Sequence, residues 1–170
     1  ILNTDNPLEA FRILHGDLLV NKLNLLIKEC GDCCTNYQKQ YYYGNSNANI
    51  LIINDNATND KDIIDYFNTL LEMSEINTDD IFIVNSVSCV TTRKDKGIEI
   101  QRIPSKKECK NCKCFINQAI KIVNPRIIIS LGATALNQFI PGSNLLEYIN
   151  TPEMLKQQYI SVICGKIYSN

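Results

Sequence analysis

Pro125-Arg-Ile-Ile-Ile-Ser-Leu-Gly-Ala-Thr-Ala135 is the stretch that decides the fold. Its short apolar run, bounded by proline and glycine, suits a strand buried on both faces, and Gly132 opens a helix directly behind it. Two runs of the same kind lie upstream. Ile50-Leu-Ile-Ile53 follows the turn-forming Gly44-Asn-Ser-Asn-Ala-Asn49, and Ile81-Phe-Ile-Val84 ends at Asn85. Between them, 60–74 reads as an amphipathic helix through Ile63, Ile64, Phe67, Leu70 and Leu71. Ser105 and Glu108 have the spacing of a capping box before a helix that turns Phe115, Ile116, Ala119, Ile120 and Val123 inward. A leading helix over about 7–27 carries Leu14, Leu18, Leu19, Leu23, Leu26 and Ile27 at helical spacing. The residues from Cys89 to about Pro104 read as a polar loop, and Tyr159-Ile-Ser-Val-Ile163 as a fourth strand. Alternating strands and helices predict a three-layer α/β/α sandwich around a short, mostly parallel four-stranded sheet. With no linker or repeat, residues 1–170 are read as one domain, either whole or a piece of a longer chain trimmed at Ile1.

With 45% apolar and 21% charged residues, the chain can build a real core. No run approaches the ~18 apolar residues of a membrane helix and no secretory signal is visible, so an intracellular, reducing compartment and no membrane partner are expected. The net charge of −1 supplies no overall field for nucleic acid, but its distribution is uneven. Between Arg93 and Lys113 lie eight of the seventeen basic residues, giving this segment +5 and the remainder −6. A basic loop of this kind can meet phosphates, or it is simply a solvated face. Arg93, Lys94, Lys96 and Arg102 are the candidates for contact with DNA or a protein partner.

Eight cysteines without a secretion signal argue for metal ligation or core thiols over disulfides. Cys30-Gly-Asp-Cys33 precedes the first strand, Cys89 follows the second, and Cys112 lies in the helix before the third. That order can gather four thiolates at one end of the sheet, as an iron–sulfur cluster requires. Zinc is the rival, because Cys109-Lys-Asn-Cys112 is a second Cys-x-x-Cys, although the 75 residues separating the pairs far exceed a compact zinc ribbon.

These segments resemble the iron–sulfur, family 4 type of uracil-DNA glycosylase over roughly residues 18–140. The second strand of that family ends in an Asn-Val-Val-Lys-Cys type sequence, matched by Asn85-Ser-Val-Ser-Cys89. Its Pro-x-x-Ile-Ile-x-Leu-Gly-x-x-Ala is matched by Pro125–Ala135. The resemblance implies a [4Fe–4S] cluster on Cys30, Cys33, Cys89 and Cys112, with Cys34, Cys109 and Cys114 as nearby substitutes; Cys164 reads as a buried structural thiol. It implies uracil-containing or single-stranded DNA as partner, Asn85 and Asn56 as readers of the uracil edge, and Asp55 as catalytic residue.

The resemblance also has gaps. Ile53-Asn-Asp-Asn-Ala-Thr58 stands where the family has Gly-Glu-Ala-Pro-Gly, so Asp55 replaces a glutamate and the glycines and proline are gone. The segment that bears the family's stacking phenylalanine is missing, and Phe67 reads as core. No His-Pro-Ser/Ala motif follows the last strand at Ile163–Ile167, and the single histidine, His15, lies in the leading helix with a surface or capping role. Without a donor at the uracil oxygen, several kcal/mol of transition-state stabilisation are missing. The expectation is a glycosylase-like iron–sulfur domain with weak or no base excision, acting in DNA binding or as an interaction subunit of a replication or repair assembly. The alternatives are an active uracil-DNA glycosylase, hydrolysing the N-glycosidic bond in a rearranged site, and a zinc-stabilised α/β interaction module.

Overall fold

The computed structural model describes residues 6–33, 37–148, 153–154 and 161–165. Helix α1 (Pro7–Glu29) starts at Asn6, whose side-chain oxygen accepts from the backbone N–H groups of Leu8 and Glu9, with Pro7 in the first turn. Strands β1 (Tyr43–Gly44) and β2 (Ile50–Asn54) precede helix α2 (Lys61–Met73), which Asp60 caps. Strand β3 (Ile81–Asn85) follows, then β4 (Thr92–Asp95) and β5 (Ile98–Gln101). Helix α3 (Lys106–Val123) begins with the predicted capping box, both halves of which form, and ends at Asn124 in the left-handed conformation. Strand β6 (Ile127–Leu131), the short helices α4 (Ala133–Asn137) and α5 (Leu145–Tyr148), and strands β7 (Glu153–Met154) and β8 (Ser161–Gly165) complete the described chain.

The sheet order is β1-β3-β2-β6-β8-β7. Its four central strands are parallel, and the two-residue β1 and β7 pair antiparallel at the edges. The continuous apolar runs are buried on both faces, as parallel strands flanked by helices must be. Leu51, Ile53, Phe82, Val84 and Ile128 pack with α1 and α3, while Ile52, Ile81 and Ile83 pack with Phe67 of α2. Connections leave β2 and β6 in opposite directions, so a crevice opens between them at their carboxyl ends, where Asn54 pairs with both Asn85 and Leu131.

The first three predicted strands, the mostly parallel sheet and the helices are present; the fourth strand is described at Ser161–Gly165 and takes in Cys164 and Gly165, while Tyr159 and Ile160 lie outside the described residues. Three further differences stand out. The expected polar loop after Cys89 contains the β4–β5 hairpin, turned by Lys96 and Gly97 at φ 49° and 85°. Two consecutive positive-φ residues make the tight turn whose twist matches a hairpin, and Lys-Gly signals it less clearly than Asn-Gly. Helix α1 buries Gly16, Val20, Leu23 and Ile27, whereas Leu14, Leu18 and Leu26 of the predicted stripe are exposed. Helix α2 buries only Phe67; Ile63, Ile64 and Leu70 remain more than a third exposed.

Candidate functional site

The predicted cysteines are distributed around the junction of the end of α1, the loop after β3 and the first half of α3. Cys30 caps α1, its N–H donating to the Ile27 carbonyl at 3.3 Å. Residues 38–40 lie against 88–90: Gln40 N–H donates to Ser88 O at 2.7 Å, Val90 N–H donates to Gln38 O at 2.8 Å, and Lys39 bridges Cys89. The Lys39 ammonium donates to Lys28 O at 2.8 Å and also to Cys30 O, clasping the Cys-x-x-Cys turn onto this ladder. Cys112 is on the buried face of α3, and Asn111 Nδ2 donates to Cys33 Sγ at 3.5 Å.

Cys30, Cys33, Cys89 and Cys112 lie within each other's electrostatic reach. Burial first, and then the neighbouring thiols, push Cys112 up to about 12. Burial raises Cys89 too, opposed chiefly by the Lys39 ammonium. Unmetallated thiolates are therefore disfavoured here, a penalty that a bound cationic centre would reverse. The donor chemistry fits an all-cysteine centre. Among the described residues, however, no three His, Cys, Asp or Glu side chains converge closely enough to hold a single ion. Of the substitutes, Cys109 is half-buried beside this group and Cys114 is exposed; Cys34 and the side chain of Cys164 lie outside what is described.

A cavity of about 1400 Å³ opens at the carboxyl ends of the strands. Asn54, Asp55, Asn56 and Asn85 line it, as do Tyr41, Tyr43 and Tyr66. Asn85 is buried at the end of β3; Asn54 Nδ2 donates to its Oδ1 at 3.4 Å and the Tyr42 hydroxyl to its backbone oxygen at 3.3 Å. This amide pair can offer both donors and acceptors to a planar polar edge. Asn56 turns its amide to the Ala57 carbonyl at 3.1 Å.

Asp55 is held differently. Its Oδ1 accepts the Ala135 N–H at 2.9 Å, at the start of α4. Gly132, at φ 100° and ψ 175°, fits against the carboxylate so closely that a Cβ there would lie 2.3 Å from Cγ. Burial raises the Asp55 pKa, and the backbone N–H groups of Ala135 and Thr134 oppose the rise. Carboxylate, glycine and helix start thus form one interlocked unit.

The basic candidates separate. Arg93, Lys94 and Lys96 are exposed on the β4–β5 hairpin, whose Gln101 donates to Ala57 O at 2.9 Å and so joins it to the cavity rim. Arg102 is not available to DNA. Its guanidinium grips Glu108 at 2.7 and 2.9 Å and donates to the Tyr37 hydroxyl at 3.0 Å, and Glu108 in turn accepts from Ser105. The sequence displayed its charge but not this fork. Tyr41, Tyr43, Tyr66, Asn54 and Gln101 were missed as cavity residues, because only the sheet register and hairpin bring them to one rim. Phe67 is buried, as expected, although its edge reaches the cavity. His15 is exposed on α1, its ring 4.5 Å from that of Phe11.

The profile of the uracil DNA glycosylase superfamily matches residues 39–167. The chain is 36% identical over 76 residues to the type-4 uracil-DNA glycosylase of Thermotoga maritima, a segment comprising 45% of this chain and 36% of that protein. It therefore spans about a third of that relative's length in the match. No helix among the described residues is long and apolar enough to cross a membrane. The superfamily match spans the sheet from β1 to β8 and covers more than half of the chain: the chain belongs to the uracil DNA glycosylase superfamily.

Proposed function

We propose that this domain carries a [4Fe–4S] cluster, holds nucleobases of DNA in the strand-end cavity, and excises uracil weakly or not at all, serving in DNA binding or as an interaction subunit of a replication or repair assembly. The observation that carries the reading is the strand-end cavity lined by the buried Asn85 amide and by Asp55, whose carboxylate the Ala135 N–H orients against Gly132. That bond occupies one lone pair of Oδ1 and leaves the others open to the cavity, so the weakness of excision rests on the missing donor at the departing base. Ile163-Cys-Gly-Lys-Ile167, where the resemblance places the family's histidine motif, holds no histidine to stabilise the departing base.

Cys30, Cys33, Cys89 and Cys112 would hold the cluster, which when bound ties three distant segments into one corner and restricts the unfolded chain. Asn85, steadied by Asn54, presents an amide to the base edge; Asn56 is the second candidate reader. Arg93, Lys94 and Lys96 extend a positive hairpin beside the cavity, suited to the backbone of a single strand. The test is an anaerobic preparation given a single-stranded oligonucleotide with one uracil. The reading expects bound iron, measurable binding that Asn85→Ala weakens about tenfold, and no base release above background. Uracil release abolished by Asp55→Asn would replace it with the active-glycosylase reading, and zinc in place of iron would remove the cluster.

A further inference from the structure

Helix α1 is apolar on two opposite sides. One side, with Val20, Leu23 and Ile27, is buried in the core. The other carries Phe11, Leu14, Leu18 and Leu25, exposed by 54, 64, 53 and 55%. At 100° per residue these four fall within an arc of about 60°, a stripe and not a scatter. Their spacing is heptad: Phe11, Leu18 and Leu25 take the first seam position, and Leu14 and Asn21 the second. With Leu8 and Leu26 beside them, the stripe presents roughly 600 Å² of apolar surface per chain, so a pair would bury about 1,200 Å², the lower bound of a stable interface.

We infer that this face is a homodimer interface, in which α1 of two copies lie parallel about a two-fold axis with Leu18 against Leu18. Charge complementarity selects the second copy and the direction. Asp17 and Lys22 flank the seam on opposite sides, five residues apart, which is the offset at which flanking residues of two parallel helices meet across their interface. Both are exposed, and neither has an ion pair among the described residues. An antiparallel pair centred on Leu18 would instead bring the two Asp17 carboxylates near each other. Asn21 falls on the seam, where a polar residue fixes register at some loss of stability. Two heptads would not associate as a free peptide, but α1 is already ordered on the domain, so association carries no cost of helix formation.

The test is sedimentation velocity on the whole 170-residue chain across the micromolar range. Three variants are compared: Leu18→Glu, Asp17→Lys, and the swap Asp17→Lys with Lys22→Asp. All three sites are exposed, and unchanged circular dichroism verifies the fold. The inference expects a concentration-dependent dimer for the natural sequence, none for Leu18→Glu, at least tenfold weaker dimerisation for Asp17→Lys, and recovery with the swap. A monomer at every concentration overturns it, whatever else is found to cover this face. A dimer indifferent to Leu18→Glu also overturns it, and a swap that fails to recover overturns the parallel arrangement.

Discussion

Gly132→Ala tests the interlock at the mouth of the cavity. The residue sits at φ 100° and ψ 175°, a region open essentially to glycine alone, so any side chain there carries about 1–3 kcal/mol of backbone strain. The new methyl would also lie 2.3–2.5 Å from the three carboxylate atoms of Asp55, well inside contact distance. Asp55 would have to swing away and give up the 2.9 Å bond from Ala135 N–H. Losing a hydrogen bond to a charged, mostly buried group costs about 1.5–3 kcal/mol. The sum is about 2.5–6 kcal/mol, a large part of a small domain's stability. Urea unfolding followed by circular dichroism measures it. The sharper measurement is the cycle with Asp55→Ala. Once the carboxylate is gone the methyl has nothing to displace, so the double variant should be at least 1 kcal/mol more stable than the two single losses added together. Additive losses, or a Gly132→Ala variant within 1 kcal/mol of the natural chain, would refute the interlock and with it the view that Gly132 and α4 set the direction in which Asp55 faces the cavity.

Three further outcomes follow from the same structure. The hydrogen bonds from Arg102 hold Glu108 down to about 2 against an ordinary 4.5, so its contribution is complete above pH 4.5 and lost as the pH falls towards 2; Glu108→Gln should remove about 2 kcal/mol at pH 7 and flatten that acid limb in pH-dependent urea unfolding. Serine at Cys30, Cys33, Cys89 or Cys112 should abolish iron content and visible absorbance in anaerobic preparations, whereas Cys114→Ser should leave both unchanged because that thiol is exposed. Glutamine at Arg93, Lys94 and Lys96 together should weaken single-stranded DNA binding and reduce its logarithmic salt slope by about 2, measured by fluorescence anisotropy, while Arg102→Gln should act on stability instead.

Much of this was legible in the chain. Each buried parallel strand is a continuous apolar run, because both faces are covered, and such runs stand out without any partner. The Ser105–Glu108 box likewise lies within four residues of what it caps, so local reading finds it. Cys89 and Asn85 could be placed at a strand end because strand length is short and its boundary abrupt.

The sequence by itself determined the sheet, its helices and the order in which four thiols approach one corner. Only the tertiary structure decided which atoms are already committed. Asp55 and Arg102 look alike on paper to any free acid and base, yet one is held by a helix start 80 residues away and the other by a carboxylate whose own position depends on the capping box. The same holds for α1, where helical spacing admits either apolar side as the inner one. The choice fell to Gly16, Val20, Leu23 and Ile27, which lie on the side that meets the sheet and α3, and left Leu14 and Leu18 outside. Periodicity fixes how residues share a face, whereas which face is buried depends on the shape of the surface it meets.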